Sequence, residues 1–262
     1  QTFGWSSQEA IGRRLDEMII PVTMREAHRA GLRHYLATGE LNVLNRRMEL
    51  TAVRRDGTPL PVEVLVSPLS IDGKTIFSAF LHDITERKQV EAIREHEATH
   101  DPLTGLLNRR GMFDLLSQAI ARVKRTRASL ALLFIDLDGF KQINDTHGHE
   151  AGDAVLREVA ARLQASIRQT DTAARLGGDE FTVILENIKH GISDANMLAQ
   201  KILETLQHPI QLDSVTATIS ASIGISMHHP YDERSADQLV NAADSAMYTA
   251  KHAGKNQVCV HK

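Results

Sequence analysis

Arg175-Leu176-Gly177-Gly178-Asp179-Glu180-Phe181 sets two glycines ahead of two consecutive carboxylates. It lies between two strand-like runs, Thr172-Ala173-Ala174-Arg175-Leu176 and Phe181-Thr182-Val183-Ile184-Leu185. A Gly-Gly pair between such runs tolerates positive φ and predicts a hairpin turn, with both acids at its tip, where a metal-bound phosphate can sit. Taken alone, the same turn is equally a solvated loop with incidental acids. The rest of the chain decides against that.

A second acidic element closes the run Leu130-Ala131-Leu132-Leu133-Phe134-Ile135-Asp136-Leu137-Asp138-Gly139-Phe140-Lys141. The unbroken apolar stretch predicts a buried central strand. Carboxylates crowded at its end call for a compensating cation, and oxygen ligands suit Mg²⁺ or Mn²⁺. Asp136 and Asp138 share a strand face by the period of two, but the chain must leave the strand near Gly139, which favours Asp136 as the ligand.

These elements and several others resemble a diguanylate cyclase of the GGDEF family over about residues 99 to 260. His100-Asp101-Pro102-Leu103-Thr104-Gly105-Leu106-Leu107-Asn108-Arg109-Arg110 is similar to the opening motif of that domain. Asn144-Asp145, Gly148-His149 and Gly152-Asp153 precede the glycine pair. Ala243-Asp244-Ser245-Ala246-Met247-Tyr248-Thr249-Ala250-Lys251 and Gly254-Lys255-Asn256 resemble the closing helix and its turn. The resemblance implies condensation of two GTP into cyclic di-GMP with release of two pyrophosphates, each GTP held by one protomer of an antiparallel homodimer. It assigns metal binding to Asp136, the carbonyl of Leu137 and Asp179, with Glu180 as the adjacent acidic partner. In-line attack on an α-phosphorus asks for cations near nucleophile and leaving group. Asp179 is placed first as base, with Glu180 beside it; the sequence does not settle which carboxylate takes the proton.

The base-binding positions implied by the resemblance are Asn144 and Asp153, with His149 between them. An Asp suits the N1–H and N2–H₂ donors of guanine, and a site built on hydrogen bonds rejects a base that leaves buried groups unpaired. Asp153 also fits the first turn of an amphipathic helix with apolar residues at 156, 159, 163 and 167. Lys251 and Lys255 are assigned to triphosphate oxygens; many relatives carry Arg at the second place, and Lys supplies a point charge there. Arg168-Gln169-Thr170-Asp171, five residues before the glycine pair, matches the spacing of the family's inhibitory product site. Arg168 and Asp171 there imply feedback inhibition by cyclic di-GMP.

Residues 1–86 resemble the later part of a PAS sensor domain. Phe3 to Gly12 predicts short helical turns. Arg54-Arg55-Asp56-Gly57-Thr58 predicts an Asp-Gly hairpin and Ile71-Asp72-Gly73-Lys74 a second turn, while Phe77 to Arg87 is similar to the family's closing strand and exit signature. The chain is expected to begin inside that domain. His28 stands where oxygen-sensing PAS kinases carry a haem ligand, which makes haem a minor alternative to a helical histidine with no ligand. The sole cysteine, Cys259, lies in the other part, against a flavin photosensor. Residues 87–99 predict a charged linker helix, with Val90 and Ile93 able to seed a dimer seam. The cyclase domain is expected over 100–262.

The expected fold class is α/β (α+β), a PAS-like domain joined by a helix to a ferredoxin-like, palm-type domain. Its mixed sheet is expected to be covered largely on one side. With 262 residues, 42% apolar, the chain has room for two domains. A net charge of −3 with 4% aromatics argues against a nucleic-acid surface. No apolar run reaches bilayer length and one cysteine fits a reducing compartment, so a cytoplasmic location without membrane contact is expected, with an upstream anchor in the parent protein left open. Two other classes compete with the enzyme: a catalytically silent cyclic di-GMP or GTP receptor, and a sensory dimerisation scaffold.

Overall fold

The computed structural model describes residues 2–39, 44–72, 74–212 and 215–261. Contacts divide it into Gln1–Arg94 and Glu95–Lys262, so the division falls inside the helix expected as the linker.

The first unit contains α1 (Ser7–Ala10), α2 (Leu15–Met18), a 3₁₀ turn at Val22–Met24, α3 (Arg25–Thr38) and the strands β1 (Arg47–Val53), β2 (Pro59–Ile71) and β3 (Lys74–Asp83). The strands form an antiparallel meander in the order β1-β2-β3. Leu60, Val62 and Val64 alternate inward along β2 and, with Ala52, form a small core joined by Phe3, Val66 and Leu81. The Asp56-Gly57 turn joins β1 to β2, whereas Gly73 of the second expected turn lies outside the described residues. Asp16 is 4% exposed and takes hydrogen bonds from Arg29 Nε at 2.5 Å and Arg14 Nε at 3.1 Å. Two guanidinium groups lie over the Trp5 ring, Arg13 at 5.4 Å and Arg55 at 5.0 Å from its centroid. The charged segment after β3 forms α4 (Thr85–Thr99), with Val90 and Ile93 exposed.

The second unit continues with α5 (Arg109–Thr126), β4 (Ser129–Asp138), α6 (Phe140–His147), α7 (His149–Ser166), β5 (Thr172–Gly177), β6 (Glu180–Ile188), α8 (Ile192–Leu206), β7 (Ile210–Leu212), β8 (Val215–Ala217), β9 (Ser220–His228), α9 (Ala236–His252) and β10 (Gln257–Val260). Its main sheet has the order β10-β9-β4-β6-β5, so the apolar run is the central strand. β4 is antiparallel to both neighbours, and β10 is parallel to β9.

The expectation of a sheet covered largely on one side is overturned. Ala131, Leu133, Ile135 and Leu137 pack with α7 and α8, while Leu130, Leu132 and Phe134 pack with α5 and α9. A strand apolar at every position has two faces to bury, so both faces carry helices. On the second face α9 approaches closely: a Cβ on Gly224 of β9 would stand 2.0 Å from the Ala243 carbonyl oxygen and 2.2 Å from the Met247 nitrogen. That approach sets the last turn of α9, with Lys251, over the end of β4.

Candidate active site

The tight turn between β5 and β6 consists of Gly178 and Asp179, and Gly177 ends β5. Gly177 has φ 147° and Gly178 φ 52°, values that side chains disfavour. Glu180 opens β6 directly opposite Asp136 in the β4–β6 ladder, and the Leu137 N–H donates to the Asp179 carbonyl at 3.3 Å. Asp136, Leu137, Asp179 and Glu180 therefore meet at one sheet end.

Asp136 is 6% exposed; its Oδ2 lies 2.6 Å from Lys251 Nζ, and its Oδ1 is buried without a hydrogen-bond partner. Burial pushes the carboxyl above its ordinary range, the Lys251 ammonium opposes this, and the charges of Asp179 and Asp138 add to it. Burial likewise raises Glu180, against the pull of Arg109, whose Nη2 is 4.0 Å from Oε2. An orphaned carboxylate oxygen beside further carboxylates fits a hard divalent cation, so these residues suit Mg²⁺ or Mn²⁺. Asp138 is committed elsewhere: it accepts from Ser222 Oγ at 2.9 Å, Ser220 Oγ at 3.1 Å and the Asn256 N–H at 3.0 Å. The last bond pins the turn after α9 that carries the exposed Lys255.

Asn144 on α6 and Asp153 on α7 are half-buried, and His149 is the exposed first residue of α7. Gly152 lets the two helices close on each other, since a Cβ there would fall 1.9 Å from Asn144 Oδ1. Arg168 and Asp171 form the turn between α7 and β5, where the Arg168 N–H donates to Asp171 Oδ2 at 3.2 Å. They line an open cavity of 490 Å³ with His100, Leu107 and Leu115. The six residues of β5 separate them from the Gly178-Asp179 turn, roughly 20 Å of extended strand. His28 is exposed on α3, a position that gives the haem reading no support.

Sequence reasoning missed the group that holds the turn. Arg175 on β5 donates to the Gly178 carbonyl through Nε at 3.0 Å and Nη2 at 2.8 Å, while its Nη1 lies 3.1 Å from both carboxylate oxygens of Asp101. The two are 74 residues apart in sequence, and only the opening motif and the signature motif, both quoted above, signalled them.

Residues 98–257 match the family described as diguanylate cyclase, GGDEF domain, and residues 1–86 match a PAS domain. The chain belongs to the GGDEF family of diguanylate cyclases. Diguanylate cyclase TpbB of Pseudomonas aeruginosa is 39% identical over 222 residues, covering 83% of this chain and 50% of TpbB. An uncharacterized signaling protein of Caulobacter vibrioides is 42% identical over 204 residues, which are 76% of this chain and 25% of that protein. The chain thus spans a quarter to half the length of these two GGDEF relatives. Among solved structures, the coiled coil and GGDEF domain of DgcB from Caulobacter crescentus, crystallised in complex with c-di-GMP, is similar at TM-score 0.61 and 30% identity, covering 67% of this chain and 91% of that one. Among the described residues, no helix of the GGDEF or PAS part is long and apolar enough to cross a membrane.

Proposed function

We propose that this chain condenses two GTP into cyclic di-GMP and two pyrophosphates, one GTP on each of two copies. The observation that carries this is the buried, unpartnered Oδ1 of Asp136, on a residue paired across the sheet with Glu180 beside the Gly178-Asp179 turn. In each half-reaction a ribose 3′-oxygen bonds to the α-phosphorus of the other nucleotide, and the bond from that phosphorus to pyrophosphate breaks. Asp136, Asp179, Glu180 and the Leu137 carbonyl would hold Mg²⁺ or Mn²⁺, which when bound neutralises phosphate charge and acidifies the attacking hydroxyl. Asp179, at the tip of the turn, accepts the 3′-hydroxyl proton as it leaves. Lys251 and Lys255 offset the charge of the departing pyrophosphate. Asn144 and Asp153 take the guanine edge, with His149 beside them.

Two controls belong to the same proposal. Arg168 and Asp171 at their cavity receive cyclic di-GMP and slow the enzyme. The PAS part acts through α4 on the encounter of two GTP-loaded copies, by a change in helix register or rotation. The test is incubation with GTP and Mg²⁺, and separately with ATP, followed by mass analysis of the nucleotides. Cyclic di-GMP from GTP alone, lost in Asp179→Ala, supports the cyclase. No product from concentrated protein stripped of bound nucleotide sinks it and favours the receptor.

A further inference from the structure

We propose that Arg175 and Asp101 are positioning residues for the reaction, fixing the catalytic turn so that Asp179 presents its carboxylate to the metal. This rests on the cyclase reading above. A two-residue turn that contains Gly178 and follows Gly177 has little stiffness of its own, because glycine adopts positive and negative φ with similar ease. Asp179 is nevertheless held on both sides. The carbonyl before it, Gly178, sits in the fork of Arg175, and its own carbonyl accepts from the Leu137 N–H. With both flanking peptide planes fixed, the direction of the Asp179 Cα–Cβ bond is fixed too.

The fork is itself anchored. Arg175 and Asp101 side chains are 12% and 18% exposed. Burial alone would raise the Asp101 carboxyl, but hydrogen bonds from Thr104 Oγ1, Arg175 and the Thr104 N–H outweigh it and hold it low, so the pair is ionised. The Arg175 N–H donates to the Leu107 carbonyl at 2.8 Å, and Asp101 N–H to Leu106 O at 2.8 Å, which stitches the 101–107 segment to β5. Asp101 lies two residues beyond the end of α4. The exit of that helix is therefore two side chains away from the metal carboxylate, and a planar guanidinium is the group that can serve a carbonyl and a carboxylate at once.

The experiment uses the full chain with Arg175→Lys, Asp101→Asn, the double variant and Asp179→Ala. Mn²⁺ binding without nucleotide is followed by electron paramagnetic resonance, alongside kcat, KM for GTP, melting temperature and cyclic di-GMP affinity. Lysine keeps the charge but loses the fork. Arg175→Lys should weaken Mn²⁺ binding about tenfold and lower kcat by about ten- to a hundredfold, the scale of a small misplacement of a catalytic group. KM for GTP, melting temperature and product affinity should hold. Asp101→Asn should move the same quantities less, and the double variant should be no worse than Arg175→Lys, because Asp101 acts through Arg175. Unchanged Mn²⁺ binding in both single variants, or losses that follow the melting temperature, would overturn the proposal. The metal titration needs no turnover, so it stays decisive if the chain makes no product; failure of Asp179→Ala to lose Mn²⁺ would instead sink the underlying assignment of the site.

Discussion

Lys251 Nζ lies 2.6 Å from Asp136 Oδ2 while Oδ1 of the same carboxylate has no partner. The ammonium is a resident counter-ion, which in the proposed reaction a divalent ion would have to displace from Asp136 and which the triphosphate would also use. Lys251→Met should therefore split two quantities that usually move together. Nucleotide-free Mn²⁺ affinity at mildly alkaline pH should rise, by roughly tenfold on the scale of one charge coupling, while KM for GTP rises as well. Calorimetry and steady-state kinetics read the two separately, and weaker metal binding in the variant would remove the counter-ion role.

Asp179→Ala should cost roughly three orders of magnitude or more in turnover. Arg168 and Asp171 lie at the far end of β5, so cyclic di-GMP affinity by calorimetry should stay within a factor of about two. Equal loss of both would mean that the hairpin does not hold its shape without the carboxylate.

Gly152→Ala puts a methyl group into the space of Asn144 Oδ1, with Phe140 Cζ 3.3 Å away. Asn144 must turn aside. KM for GTP should rise about tenfold with a smaller change in kcat, the pattern of lost ground-state binding. A KM that does not move would take Asn144 out of the nucleotide site.

The first unit should carry an acid-sensitive element at Asp16. Hydrogen bonds from Arg29 and then Arg14 bring its carboxyl down to about 2. A lowered folded-state value means that this stabilisation is complete above the unfolded carboxyl range near 4 and is lost as pH falls from there through about 2. Hydrogen exchange across β1 to β3 should quicken over that window, and Asp16→Asn should be less stable above it and flatter within it. Parallel curves for the two proteins would refute the assignment.

The central strand, the glycine hairpin and the meander were legible because each is a local pattern: an apolar run, a Gly-Gly pair, a period of two. The second covered face was legible in principle, since Leu130 to Leu137 shows no alternation, and one-sided cover requires it. The contrast between Asp136 and Asp138 was only half legible. Parity gives both acids one face, but what separates them is the hydroxyl pair of Ser220 and Ser222 and the Asn256 N–H, which come from β9 and the turn after α9. Arg175 and Asp101 illustrate the limit. Nothing in the spacing of two charged residues 74 positions apart says that one carbonyl in a two-residue turn will stand between them and the Asp179 carboxylate.

The only tryptophan of the chain is Trp5, with the guanidinium groups of Arg13 and Arg55 over its ring in the first unit. Indole emission is sensitive to nearby charge, so this protein has an optical channel that belongs to the sensory part alone. A small molecule that binds beside Trp5 should alter that spectrum directly. The search for what the sensor recognises can thus proceed by titration in a cuvette, with no nucleotide present.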